Sequence, residues 1–231
     1  MKWRDYWNQF PAQFEETEFL KQVQYTVSGV PISPDQLNAY ISDIINALEI
    51  DRNDYILDMC CGNGMITSEI SKVCSSMIGI DYSQYLIYIA KKYNNPDNVT
   101  YYCMSILEKR IKKIIQMPFT KVYICAALQY FTKPGLKKIL EQIKDLSRLN
   151  SVIFIGDIPD KDRIWDFYDT EERRKNYLSS NKQNAIGTWW KKEDIADICI
   201  NNGFDIMFLP PNELTGSAHY RFNIRLVKLG S

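Results

Sequence analysis

The sequence predicts an α/β fold: a parallel sheet covered by helices on both faces. Three observations carry this. Short apolar runs such as "YILDM", "MIGID" and "SVIFIGDI" alternate with longer segments of helical periodicity. A glycine-containing turn, Cys60–Gly64, follows directly on the first of those runs. The second run ends in Asp81, about 20 residues on, the spacing at which open α/β sheets place a carboxylate for a ribose diol.

Each element follows in order. Residues 1–34 are aromatic and amphipathic, and end in "TVSGVPISP", where Gly29, Pro31 and Pro34 punctuate a loop. We expect them to form a lid segment on a domain spanning 35–231. From Asp35 to Ile50, Leu37, Ile41, Ile44, Ile45 and Leu48 recur at helical spacing, with Ser33 or Asp35 as the cap. "YILDM" predicts a buried strand, "MITSEISKVC" a helix, "MIGID" a strand, "SQYLIYIAKKY" a helix and "NVTYYC" a strand. "ILEKRIKKIIQ" predicts a helix, "KVYICAAL" a strand, "PGLKKILEQIKDLSRL" a helix opened by Pro134, and "SVIFIGDI" a fifth strand. Residues 158–190 interrupt the alternation, and such insertions often shape a substrate pocket. "KKEDIADICINNG" predicts a helix closed by Gly203, and "FDIMFL" and "HYRFNIRLVKL" a terminal strand pair.

Composition narrows the function. With 231 residues, 45% hydrophobic and 24% charged, the chain has ordinary globular values. Its 28 basic and 28 acidic residues balance, which weighs against a protein built to embrace a phosphate backbone. The amino terminus does not read as a signal peptide, and no apolar run approaches the roughly 20 residues that span a bilayer, so we expect no membrane insertion and the cytoplasm as the compartment. The six cysteines, at 60, 61, 74, 103, 125 and 199, contain no C-x-x-C pair, and the single histidine, His219, is distant in sequence. We expect thiols that pack, and no metal site. Oligomeric state is not legible.

Gly62 and Gly64 permit a tight turn and a close backbone approach to a ligand, while Cys60 and Cys61 occupy positions that tolerate small side chains. A dinucleotide fingerprint would need a third glycine where Thr67 stands, which places a nicotinamide-dependent oxidoreductase second. Asp58 before the loop suits a cationic ligand better than a pyrophosphate.

"LDMCCGNG" followed by "IGIDYS" resembles the first two motifs of class I S-adenosylmethionine-dependent methyltransferases, and "KVYICAALQYF" resembles the fourth-strand motif. With "GFDIMFL" and "YRFNIRLVKL", the resemblance spans roughly residues 35–229. It implies a Rossmann-like sheet of seven strands, six parallel and the last antiparallel, with S-adenosylmethionine as cofactor. It further implies that Asp58 and the backbone of Cys60, Cys61 and Gly62 hold the methionine part, that Asp81 holds the ribose hydroxyls, and that Tyr82 lies against the adenine. Ala126 falls in the fourth-strand motif beside the cofactor. Where the third strand of this family commonly ends in an acidic residue for the adenine amine, this chain has Met104 and Ser105. Tyr25, with Thr26 beside it before the Gly/Pro-rich hinge, is the expected contact of the lid with cofactor or acceptor.

For the acceptor, the fourth strand lacks the Asp/Asn-Pro-Pro-aromatic signature of base amino methylation; "CAALQYF" stands there, which favours a small molecule over nucleic acid. His219 and Asp157 are the candidate catalytic groups, His219 as a proton acceptor and Asp157 as an orienting carboxylate; a structural histidine and a turn-forming aspartate are the plain alternatives. Arg221, flanked by Tyr220 and Phe222, can meet an anion. "FLKQVQYTVSGVPIS", "IFIGDIPD" and "AHYRFNIRLV" resemble segments of methyltransferases of bacterial capsule and surface-glycan pathways, which implies O-methylation of a sugar, a nucleotide-linked intermediate or a phosphoramidate oxygen. A noncatalytic methyltransferase-like partner is the third class.

Overall fold

A computed structural model describes residues 3–108, 111–115, 117–180 and 186–230. The amino-terminal segment contains α1 (Trp3–Gln9), a 3-10 turn, α2 (Phe19–Gln22) and a hairpin of β1 (Thr26–Val27) and β2 (Val30–Pro31). There follow α3 (Pro34–Leu48), β3 (Tyr55–Met59), α4 (Met65–Ser71), β4 (Ser76–Asp81), α5 (Gln84–Tyr93), β5 (Val99–Cys103), α6 (Ile111–Ile114), β6 (Phe119–Cys125), α7 (Lys133–Leu146) and β7 (Ser147–Pro159). The last third holds α8 (Ile164–Phe167), α9 (Glu171–Ser179), α10 (Lys192–Asn201), β8 (Phe204–Leu209) and β9 (Arg221–Lys228).

Strands β3 to β9 form one seven-stranded sheet in the order β5-β4-β3-β6-β7-β9-β8, and only the last strand in the chain, β9, runs antiparallel to its neighbours β7 and β8. The expected sheet is therefore present. Alternation along β3 shows why it has two cores: Leu57 and Met59 face a cluster with Leu136, Ile139 and Ile195 of α7 and α10, while Ile56 faces Ile44, Ile70 and Ile87 of α3, α4 and α5. Ser33 caps α3 in a full capping box with Gln36, which decides between the two expected caps. The order of strands reverses between β3 and β6, so the turns after these two strands diverge and leave a crevice.

Several boundaries differ from expectation; α4, for example, ends at Ser71, and β7 begins already at Ser147. α7 stops at Leu146, because the Ser147 hydroxyl donates to the Ile143 carbonyl (2.6 Å) and the chain turns straight into β7. β6 stops at Cys125, because Ala126 takes a left-handed conformation (φ 53°) and a 3-10 turn follows. The helix expected over 106–116 is described only as α6, with residues 109, 110 and 116 outside the described residues. The excursion after β7 is pinned at its neck: Trp190 N–H donates to the Pro159 carbonyl (2.9 Å) and Lys161 N–H to the Trp190 carbonyl (2.8 Å). No helix among the described residues is long and apolar enough to cross a membrane.

Candidate active site

The crevice opens into a cavity of about 780 Å³, mouth included, lined by the turns after β3, β4 and β6 and roofed by the amino-terminal segment. Asp58, buried one residue before the end of β3, has one carboxylate oxygen accepting from Thr67 Oγ1 (2.6 Å) and Tyr123 OH (2.5 Å). Burial pushes its pKa up to about 7; those two hydroxyls pull the other way and the nearby Asp81 adds to the rise. The group thus sits poised between carboxyl and carboxylate, and a cation beside it would favour the charged form.

The loop between β3 and α4 is built from left-handed residues: Cys60 (φ 74°), Gly62 (φ 56°) and Gly64 (φ 76°). At Gly64 a Cβ would meet the Tyr101 hydroxyl at 2.5 Å, so only glycine fits there. The thiols of Cys60 and Cys61 are held well above the ordinary range by burial and by the carboxylates of Asp58 and Asp81, and they stay protonated. No group of metal-ligating side chains occurs among the described residues.

Asp81 closes β4, almost fully buried. One oxygen accepts from Gly62 N–H (3.0 Å) and the other from Ser83 N–H (2.8 Å). Each retains a lone pair, and burial raises its pKa. Tyr82, lining the same cavity, donates its hydroxyl to the Trp3 carbonyl (3.0 Å), and Ser83 Oγ donates to the Trp7 carbonyl (2.7 Å), so the tip of β4 is what anchors α1.

A second, more polar chamber of about 1270 Å³, mouth included, adjoins the first; Val23, Tyr25, Ala126 and Tyr130 line both. Its wall includes Asp157, which β7 presents from a bulge: the register with β9 shifts between Ile155 and Ile158, Asp157 is left-handed (φ 59°), and its N–H donates to Asn223 Oδ1 (2.8 Å). Its carboxylate accepts from Ser217 Oγ (2.6 Å) and faces Arg221 Nη1 (3.3 Å).

Most of the residues named from the sequence come together at these two cavities. Tyr25, Asp58, Cys60, Cys61, Gly62, Asp81, Tyr82 and Ala126 line the first cavity; Thr26, Asp157 and His219 line the second, His219 from an exposed position. Met104 and Ser105 line neither. Met104 packs in the core with its N–H on the Asp81 carbonyl (2.9 Å), and the Ser105 hydroxyl accepts from Leu107 N–H (3.3 Å) to shape a turn. Sequence reasoning missed Trp7, Tyr123 and Thr67. Thr67 was visible only as a missing glycine, although a hydroxyl there is what holds Asp58.

Residues 56–149 match the model of the methyltransferase domain family. The chain carries a class I methyltransferase domain, and S-adenosylmethionine is the cofactor of that domain. Over 138 residues the chain is 28% identical to a probable cobalt-precorrin-6B C(15)-methyltransferase (decarboxylating) of Methanocaldococcus jannaschii, covering 60% of this chain and 67% of that one. It is 26% identical over 136 residues to the 23S rRNA (uracil(1939)-C(5))-methyltransferase of Legionella pneumophila, covering 55% of this chain but only 30% of that one. In fold it is similar to magnesium protoporphyrin IX methyltransferase from Synechocystis PCC 6803 with bound SAH (TM-score 0.65, 13% identity, 97% of each chain covered).

The methyltransferase's own residues fit such a cofactor. The Trp7 indole N–H is buried without a partner on the cavity wall. Asp81 offers acceptor lone pairs from an almost fully buried carboxylate, and Asp58 offers a carboxylate that a cation would charge. Ribose hydroxyls and an ammonium are the complementary groups.

Proposed function

We propose that this methyltransferase O-methylates a small-molecule acceptor, with cofactor in the cavity at Asp58 and Asp81 and acceptor in the adjoining chamber. What supports the reading most is that two cavities of different character meet at Tyr25, Ala126 and Tyr130. S-adenosylmethionine supplies an electrophilic methyl group, so the chain's task is alignment and exclusion of water. Asp58 and the Cys60–Gly62 backbone would hold the methionine part, Asp81 the ribose, and Tyr82 and Trp7 the adenosine side; Met104 and Ser105 would act only through the turn beneath it.

Residues 1–34 act as a lid in this reading. Tyr25 is half-buried at the junction, and its hydroxyl meets only the Cys125 thiol (3.6 Å), a weak partner readily exchanged for a ligand. Asp157 positions Arg221 and Ser217, and His219 stands at the acceptor chamber's rim. Acceptors of the capsule and surface-glycan type suggested by the sequence, a sugar, a nucleotide-linked intermediate or a phosphoramidate, are polar, as is the lining of this chamber. The 23S rRNA methyltransferase among the relatives makes RNA the rival acceptor, against which the balanced charge of the chain weighs.

The test is a thermal-shift comparison of S-adenosylmethionine, S-adenosylhomocysteine and NAD, followed by mass spectrometry of candidate acceptors. Stabilisation by the two sulfur ligands and a 14-dalton gain on a small-molecule oxygen are expected. Stabilisation by NAD alone would return the chain to the oxidoreductase reading.

A further inference from the structure

The wall of the acceptor chamber includes a guanidinium whose Nε–H is unpartnered. Arg221 is 7% exposed, and its Nε is buried with no hydrogen-bond partner. Its Nη1 is held: it donates to the Asp157 carbonyl and to Gln129 Oε1 (3.5 Å) and faces the Asp157 carboxylate (3.3 Å), and the guanidinium lies 5.2 Å from the centre of the Tyr220 ring. A buried donor left unpaired in a cavity wall costs free energy until something accepts from it. The location is informative too. Ala126, which lines both cavities, donates its N–H to the Gly156 carbonyl (3.1 Å), so the Asp157–Arg221 pair adjoins the wall that the cavities share.

The carboxylates of the same chamber are already engaged among the described residues, and its histidine stands only at the rim. Asp157 accepts from Ser217 on one oxygen, Ser217 in turn lies 2.8 Å from Tyr40 OH, and the other oxygen faces Arg221. Asp169 is paired with Arg173 (2.7 Å). His219 is exposed and packs its ring against Tyr220, 4.8 Å between centroids. A neutral hydroxyl acceptor needs somewhere to send its proton; an ionised oxygen does not. Beside Arg221 the wall is aromatic, Phe167 and Tyr220 lying 4.9 Å apart.

Resting on the acceptor assignment above, we propose that the acceptor's nucleophile is an oxyanion carried on a ring-bearing molecule, a carboxylate or a phosphate-type oxygen, received by Arg221 Nε with the ring against Phe167 and Tyr220. The acceptor oxygen uses a lone pair to form the O–C bond as the methyl's C–S bond breaks, and the C–S electron pair leaves on sulfur. No proton moves. The charges of −1 on the oxygen and +1 on the sulfonium cancel, and the product is a methyl ester. Asp157 is a positioning residue here, holding the guanidinium at its other edge.

The experiment is calorimetry on the full chain saturated with S-adenosylhomocysteine, titrated with benzoate, phenyl phosphate and the neutral benzyl alcohol. Saturable binding of at least one anion is expected, with benzyl alcohol about tenfold weaker or more. The preferred anion tells the carboxylate source from the phosphate source. Arg221→Lys, which keeps the charge and removes the Nε donor, should weaken the anion about tenfold while S-adenosylhomocysteine affinity is kept. Should that variant not fold, as judged by its melting transition, the wild-type comparison of anion with alcohol still decides. Benzyl alcohol binding as well as the anions, no anion binding at all, or unchanged anion affinity in Arg221→Lys would each overturn the proposal. Failure to bind S-adenosylhomocysteine would instead sink the cofactor assignment beneath it.

Discussion

Two carboxylates line the cavity at the β3–β6 switch point, and their surroundings differ. Asp81 accepts from two backbone N–H groups, a fixed cradle that holds both oxygens in place for further donors. Replacing it with Ala should weaken S-adenosylhomocysteine binding by about 1.5–3 kcal/mol, because charge-assisted bonds of this kind are lost. Calorimetry on a variant with wild-type circular dichroism checks it. Asp58 behaves differently, because burial raises its pKa from 3.8 in the free side chain to about 7. Between those values the folded protein binds a proton that the unfolded chain has released. Stability of the ligand-free protein from this group is therefore full below about pH 4 and declines until about pH 7. An ammonium-bearing ligand favours the ionised form, so the thermal shift given by S-adenosylhomocysteine should grow over the same interval. In Asp58→Asn this growth should vanish; a shift independent of pH in the wild type would remove Asp58 from the ammonium site.

At the scale of elements, the amino-terminal segment meets α5 at Asn8, whose Oδ1 accepts from Gln84 N–H (3.1 Å), at Phe19, whose ring lies 5.8 Å from that of Tyr93, and at Glu16. Glu16 lies in reach of Lys92 Nζ (2.6 Å), Tyr93 OH (2.6 Å) and Tyr88 OH (3.1 Å), and the Lys92 hydrogen bond leads the causes that push its pKa down to about 2. The cluster is exposed, so it adds little stability, and in the proposed lid reading it would act as a catch. Glu16→Ala should leave the melting temperature nearly unchanged and speed proteolytic cleavage within residues 10–30, with ligand restoring protection. Equal cleavage rates with and without ligand would argue against a lid. This strap shows where sequence reasoning runs out. Its aromatic surplus was plain, and Tyr25 could be singled out beside a hinge. That Trp7 would stand on the cavity wall, or that Glu16 would meet a cluster some 76 residues away, depends on the tertiary packing of a segment built from short elements. The sheet was legible for the opposite reason, since central strands such as β3 and β4 are short buried runs joined by helical crossovers.

The whole molecule is a sheet with two cores, and its site exists because chain order reverses between β3 and β6. Leu57 is fully buried next to Asp58 and belongs to the core shared with α7 and α10. Leu57→Ala should cost about 2–5 kcal/mol in chemical denaturation, and a loss under about 1 kcal/mol would mean the core relaxes around the cavity. At this scale Asp58, Gly62 and Asp81 could be read from the sequence because they sit at fixed offsets from strand ends. Asp157 and Arg221 could be flagged but not joined, because a bulge in β7 and its register with β9 bring them together. Cys60 and Cys61 read correctly as loop residues from spacing alone; their placement among buried carboxylates explains why the thiols stay protonated. The central claim is that the cavity at the β3–β6 switch point is a S-adenosylmethionine site. The measurement that tests it most directly is a calorimetric titration of S-adenosylhomocysteine into the wild type and Asp81→Ala. Saturable one-to-one binding that the variant weakens about tenfold or more is the result predicted; no binding to the wild type, or equal binding to both, would contradict it.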